Sequence, residues 1–177
     1  ISGDIQILGQ SLVDAGMKKR NQILRQIGVA FQSSALFGSM TVLDNVMLPI
    51  REYTRLPMNA IEEIARIKLS LVGLSAAAMN MPSELSGGMK KRAALARAMA
   101  LDPSVIFLDE PSAGLDPITS ADLDRLIIDL SDSLGLTFVV VTHELPSIHA
   151  IASRVIMLEK ERKTIVAQGS PKELKQK

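Results

Sequence analysis

Two adjacent carboxylates, Asp109 and Glu110, follow directly on four apolar residues, Val105, Ile106, Phe107 and Leu108. A continuous apolar run of that length reads as a parallel strand buried on both faces. In an open α/β sheet ligands gather at the carboxyl ends of the strands, which puts both acids at the edge of a site. Asp109 there has the chemistry to hold Mg²⁺ through water, since that ion takes one or two carboxylates together with phosphate oxygens. Glu110, pointing differently on an extended backbone, has the chemistry to orient and deprotonate an attacking water. A strand that simply ends in solvated acids has the same pattern, so this run alone leaves both readings open.

A second cluster, Leu85-Ser86-Gly87-Gly88-Met89, sets a hydroxyl and two residues without side chains at the mouth of a helix. Such an end presents unsatisfied N–H groups and the positive pole of the helix dipole, and glycine lets a phosphate come close. An ordinary capped helix with a flexible entry reads the same way. The cations that follow, Lys90, Lys91 and Arg92, form a charge run of a kind that is usually solvated and that can also reinforce attraction for phosphate. Gln32 follows the apolar run 27–31, and His143 follows the run 136–141. Taken singly, the first also reads as a surface residue and the second as a satisfied structural histidine.

The elements that must position these residues alternate. Residues 4–8 and 27–31 read as strands separated by a polar stretch over 17–24. From residue 40 the pattern turns helical: Asn59 with Glu62 resembles a capping box, and Ile61, Ile64, Ala65, Lys68, Leu71 and Val72 share one helical face. Ser86 opens a helix rich in small residues, 93–100, able to approach a neighbouring surface closely, and Asp102-Pro103 ends it. Asp116 and Pro117 read as N-cap and first helical residue, with Leu123, Leu126, Ile127, Leu130 and Leu134 on one stripe and Gly135 as the stop. Strands at 136–141, 154–158 and 164–167 follow, then a last helix capped by Ser170 and Pro171 with Glu173. Strands alternating with crossover helices predict an α/β sheet interrupted by a helical insert.

Bulk properties narrow the class further. The 177 residues, 47% of them hydrophobic, are enough for one domain with a core. A net charge of +1 from interspersed charges favours neither nucleic acid nor an anionic membrane surface. The absence of cysteine excludes a disulfide scaffold and a thiolate metal site and suits a cytoplasmic setting. No apolar run approaches the roughly 20 residues of a membrane-spanning helix, so a membrane process would need a spanning partner. The opening on Ile1 rather than Met, at a strand-like stretch, reads as a truncated upstream boundary.

In chain order, Ser86-Gly87-Gly88 resembles the signature motif of the ABC ATPases, and Val105 to Glu110 resembles their Walker B strand with its catalytic glutamate. Gln32 resembles the Q-loop glutamine, Ser112-Ala113-Gly114-Leu115-Asp116 the D-loop, and His143 the switch histidine. The resemblance implies a P-loop NTPase-like, RecA-like α/β core over 1–39 and 101–177, with an α-helical subdomain insert over 40–100. It implies ATP and Mg²⁺ as cofactors and a homodimer in which Ser86, Gly87 and Gly88 of one subunit cover the ATP of the other. Asp109 and Gln32 would hold the metal, Glu110 and His143 would be catalytic, and Asp116 would link the two sites across the interface. No Gly-x-x-x-x-Gly-Lys-Ser/Thr occurs in the sequence, so this stretch alone is not expected to hydrolyse ATP. Its absence is also expected to leave apolar surface unburied.

Within the family, the segments 31–37 and 45–52, Met89-Lys90-Lys91-Arg92 and Leu115-Asp116-Pro117-Ile118-Thr119-Ser120 are similar to the ATPases of Mce-type lipid transporters of bacterial envelopes. That similarity implies a lipid cargo, an integral membrane permease touching Leu36 and Phe37, an Mce-type substrate-binding protein in the same system, and a place at the inner face of the cell membrane. Packing of Leu36 and Phe37 into the insert's own core is the competing reading. A non-transport ABC ATPase lacks support, with neither a long heptad insertion nor a duplicated cassette present. A degenerate, signature-only partner would have no need of Asp109, Glu110 and His143.

Overall fold

The computed structural model describes residues 3–159, 161 and 163–175. It opens with two short antiparallel strands, β1 (Gln6–Ile7) and β2 (Gln10–Ser11). One longer strand over 4–8 does not form, because Leu8 and Gly9 both take positive φ, 49° and 73°, and two left-handed residues in succession make a tight hairpin. The polar stretch that follows is helix α1 (Met17–Leu24), which buries Ile23 and has no apolar stripe for periodicity to detect.

Three strands form a parallel sheet in the order β3 (Ile27–Ala30), β4 (Val105–Asp109), β5 (Thr137–Val141). Between β3 and β4 run helices α2 (Val42–Tyr53), α3 (Met58–Leu71) and α4 (Gly87–Ala98), with short 3₁₀ turns at Ser75–Ala77 and Pro82–Glu84. Helix α5 (Pro117–Leu134) crosses from β4 to β5. Helix α6 (Leu145–Ile151), the antiparallel pair β6 (Val155–Glu159) and β7 (Thr164–Gly169), and the single turn α7 (Pro171–Leu174) complete the chain.

The expected caps are present at α4 (Ser86), α5 (Asp116 with Gly135 at φ 65°) and α7 (Ser170 with Glu173). Asn59 caps nothing: α3 starts at Met58 behind Pro57, whose φ of −67° and ψ of 153° set the boundary upstream. The side-chain capping box of this region belongs to α2, where Thr41 and Asp44 exchange hydrogen bonds. Lys68, on the buried face of α3, is satisfied by the carboxylate of Asp102.

Register decides where the core sits. Gly28, Ile106 and Phe138 are aligned across the sheet, as are Ala30, Leu108 and Val140. That face packs under α4 and α5 through Ala94, Leu95, Leu123, Ile127 and Leu130, and Ile106 is fully buried there. The opposite face carries Val29, Val139 and Val141, which are 41%, 40% and 60% exposed. The expectation of burial on both faces therefore holds for one face only among the described residues, because both crossover helices lie on the same side.

The small residues of α4 let it sit directly on β3. A Cβ built at Gly28 would overlap the carbonyl oxygen of Ala98, a backbone atom that cannot rotate away. Replacing Gly28 by alanine must therefore lift the helix from the sheet, and overpacking of this kind costs about 1–3 kcal/mol. Urea denaturation of the Gly28→Ala variant is expected to show that loss; an unchanged midpoint would mean the contact is slack.

Candidate functional site

The parallel ladder brings three chain segments to one sheet edge. Asp109 pairs with Val141, and the Glu110 N–H donates to the Val141 carbonyl at 2.8 Å, extending the ladder one residue past β4. Thr142 and His143 consequently lie beside Glu110. The Glu110 carboxylate meets His143 Nδ1 at 2.7 Å and accepts from the Thr142 hydroxyl at 3.3 Å. The same hydroxyl accepts from the Glu144 N–H at 3.1 Å, which ties the carboxylate to the start of α6.

Glu110 is not extended, as the sequence suggests, but left-handed, with φ 46°. A non-glycine residue keeps that conformation only where its surroundings over-determine it. Here the surroundings are the Val141 carbonyl on its N–H, Ala113 N–H and Lys91 Nζ on its carbonyl, and His143 and Thr142 on its side chain. The turn aims the carboxylate toward β5 while Asp109 stays exposed at the strand end. The hydrogen bond and the negative charge of Glu110 raise the His143 pKa above its ordinary value, so His143 tends toward the charged donor form on an 80% exposed side chain.

Gln32 and Asp109 line an open cleft of about 600 Å³ with Phe31, Ser33, Ala113 and Gly114. An exposed carboxylate and a side-chain amide are hard oxygen donors of the kind Mg²⁺ takes alongside phosphate oxygens and water. Among the described residues no three of His, Cys, Asp or Glu cluster into a metal cage.

Ser86, Gly87 and Gly88 are not among the residues that line that cleft. Ser86 accepts from the Met89 N–H at 3.3 Å. Gly88 is buried, and a Cβ there would meet Thr119 Cγ2 at 2.5 Å, so its missing side chain serves packing between α4 and α5 within the chain. Gly87 is exposed and faces Leu115. The Asp116 carboxylate caps α5 by accepting from Ile118 N–H, Thr119 N–H and the Thr119 hydroxyl at 3.1, 3.0 and 2.5 Å; the Thr119 hydroxyl above all lowers its pKa.

The loop after Gln32 is held from inside. Asn45, fully buried, donates to the carbonyls of Phe37, Met40 and Thr41 and accepts from the Phe37 N–H. Arg97 donates to the carbonyls of Ser34 and Ala35 at 3.0 and 2.8 Å, and its guanidinium lies over the Phe37 ring. Leu36 packs on the core, while Phe37 is 51% exposed.

Sequence reasoning did not single out Thr142, Asn45 or Arg97, and it left Lys91 in a charge run read as solvated or as reinforcing attraction for phosphate. Lys91 Nζ donates to the carbonyls of Gln32 and Glu110 at 2.8 and 3.0 Å, and Arg92 Nη1 donates to the Val72 carbonyl. The available signal is helical position: Lys91 stands three and four residues before the buried Ala94 and Leu95, on the face that α4 turns to the sheet.

Comparison with known proteins identifies the family. The family described as ABC transporter matches residues 1–113. The intermembrane phospholipid transport system ATP-binding proteins MlaF of Haemophilus influenzae and Escherichia coli K12 are 42% and 44% identical over 98% and 97% of this chain. The chain spans 65% and 63% of their lengths. A probable ribonucleotide transport ATP-binding protein, mkl of Mycobacterium bovis, is 41% identical over 97% of the chain, which covers 47% of it. Among solved structures, cbiO1 of Clostridium perfringens, part of the transporter complex cbiONQ, superposes with a TM-score of 0.88 at 28% identity over 99% of this chain and 69% of its own. A dimeric post-hydrolysis ATP-binding cassette, MJ0796 bound to ADP and Pi, gives 0.83 at 29% identity over 96% of this chain and 74% of its own. With the ordered acid pair, glutamine and histidine on one sheet edge, these matches mean that the chain belongs to the ABC transporter family and has its P-loop NTPase-like fold.

Proposed function

We propose that this chain supplies most of the ATP-binding and hydrolysing subunit of an ABC transporter that drives lipid across a bacterial envelope. The observation that carries the reading is the 2.7 Å contact between Glu110 and His143 beside the cleft lined by Gln32 and Asp109. Residues 1–39 and 101–177 would form the nucleotide core and 40–100 the helical subdomain. The lipid cargo is supported by the identity to MlaF, a phospholipid transport protein by name.

Asp109 and Gln32 would hold Mg²⁺ with ATP; the ion, when bound, neutralises charge developing on the phosphate oxygens. Glu110 is the general base: its carboxylate, fixed by Thr142 and His143, accepts a proton from the attacking water. His143, drawn toward its charged form by Glu110, then has an exposed ring with which to meet a phosphate. Ser86, Gly87 and Gly88 would present their helix end to ATP on a second copy of the subunit, with Asp116 at that interface. Phe37, with Leu36 beneath it, would meet the integral membrane permease. No described helix is long and apolar enough to cross a membrane, and the subunit would act in the cytoplasm at the inner face of the membrane, alongside an Mce-type substrate-binding protein. The identity to mkl makes ribonucleotide the second cargo to test; transport of labelled phospholipid against labelled ribonucleotide by the reconstituted complex separates the two.

In the full natural protein, Glu110→Gln is expected to lower kcat for ATP hydrolysis by roughly 10²- to 10⁴-fold, the usual worth of general-base assistance, while nucleotide binding persists. Hydrolysis at the unmutated rate would refute the assignment.

NMR titration of the His143 imidazole is expected to give a midpoint above the ordinary histidine value, returning toward it in Glu110→Gln. Because the folded pKa is the raised one, the pair's contribution to stability is fully present below the unfolded pKa and is lost as pH rises through the folded value. A midpoint that does not respond to Glu110→Gln would place the cause elsewhere.

A further inference from the structure

We propose that Lys91 is a positioning residue for hydrolysis, its ammonium fixing the main chain of Gln32 against that of Glu110 and tying both to α4. The inference rests on the ATPase reading above. Pairing between β3 and β4 ends at Ala30 and Leu108. Two residues further on, the carbonyls of Gln32 and Glu110 lie outside that pairing; Lys91 Nζ donates to both, at 2.8 and 3.0 Å, and the Glu110 carbonyl also accepts from the Ala113 N–H at 3.2 Å. The ammonium thus replaces the missing rungs at the point where the two segments must keep their spacing.

Several observations set this lysine apart from the cations beside it. Both acceptors are neutral backbone carbonyls of site residues, so what the contact confers is placement. One of them belongs to Glu110, whose φ of 46° needs outside restraint and whose carbonyl is one bond from the Cα that carries the carboxylate. Lys91 also lies on the helix that begins at Gly87 behind the Ser86 cap. A shift of the Ser86-Gly87-Gly88 end therefore pulls on Gln32 and Glu110 through one side chain. Arg92, the next residue, is spent on the Val72 carbonyl in the helical layer.

The test uses the full natural protein with Lys91→Met, Lys91→Arg and Lys90→Met. Loss of a hydrogen bond from a charged donor corresponds to roughly a 10- to 100-fold fall in kcat. Lys91→Met is expected to show that fall with the KM for ATP, nucleotide affinity and thermal midpoint preserved. Lys91→Arg, which keeps the donors, should recover part of the rate, and Lys90→Met should match the unmutated protein. The inference is overturned if Lys91→Met keeps the full rate, if its loss follows a fall in thermal midpoint, or if Lys90→Met loses as much. A second readout needs no turnover. Deleting a nearby cation would by itself raise the His143 pKa, whereas loosening Glu110 from His143 lowers it. A lowered His143 titration midpoint in Lys91→Met is therefore the expected result, and a raised or unchanged one refutes the positioning role. Glu110→Gln, measured in parallel, keeps the two failures apart. If it abolishes hydrolysis while Lys91→Met does not, only the positioning role falls; if it leaves the rate intact, the ATPase reading falls with it.

Discussion

Parallel pairing of β3, β4 and β5 in a single register is the constraint on which the site depends. Parallel strands all end at one edge, so alignment of Ala30 with Leu108 and of Asp109 with Val141 delivers residues 31–32, 109–110 and 142–143 to the same place. That delivery places Asp109 and Glu110 at the end of β4, Gln32 two residues past β3 and His143 two residues past β5. The same geometry creates a polar problem, because carbonyls beyond the last rung have no strand partner and need other donors. Lys91 and Arg97 supply them from α4, to Gln32 and Glu110 in one case and to Ser34 and Ala35 in the other.

Much of this was legible in the sequence because it rests on short-range patterns. The apolar run 105–108 ending in two acids, the Asp116-Pro117 start and Gly135 stop of α5, and the small-residue face of α4 each have a local physical cause, and each lies where that cause puts it. What was illegible depends on tertiary context. Helix α1 has no apolar stripe, and the start of α3 was set by Pro57 rather than by the better capping residue Asn59. The left-handed turn at Glu110 is imposed by groups distant in sequence: Val141, His143 and Lys91.

The wholly or partly buried cations show the same limit from the side of electrostatics. In the sequence Lys68 falls on the apolar face of its helix, Lys91 in a charge run and Arg97 among small residues, and none of these positions names a partner. In the fold Lys68 meets Asp102; Lys91 and Arg97 donate to loop carbonyls, and burial lowers the pKa of these two against the charged form. Desolvation opposes such placements, so they hold only where hydrogen bonds satisfy the cation. All three tie elements of the helical segment to the strands or to the loops next to them. The flexible stems allow this, since a lysine or arginine can run its methylenes along apolar surface and deliver its charge at the far end.

Glycine in the Ser-Gly-Gly cluster carries two separable meanings. Gly88 is required by packing, because any Cβ there would strike Thr119, whose rotation is opposed by its hydroxyl bond to Asp116. Gly87 is exposed and faces no such obstacle closer than the Leu115 methyl, so at that position the open backbone is available to an incoming group. The two helix ends brought side by side by the Gly88 contact also differ in charge. At α5 a carboxylate caps two amides and offsets the positive pole, whereas at α4 one neutral hydroxyl caps one amide. Of the two adjacent helix N-termini, α4 therefore keeps the attraction for an anion. The Asp116 cap makes that asymmetry a property of the fold.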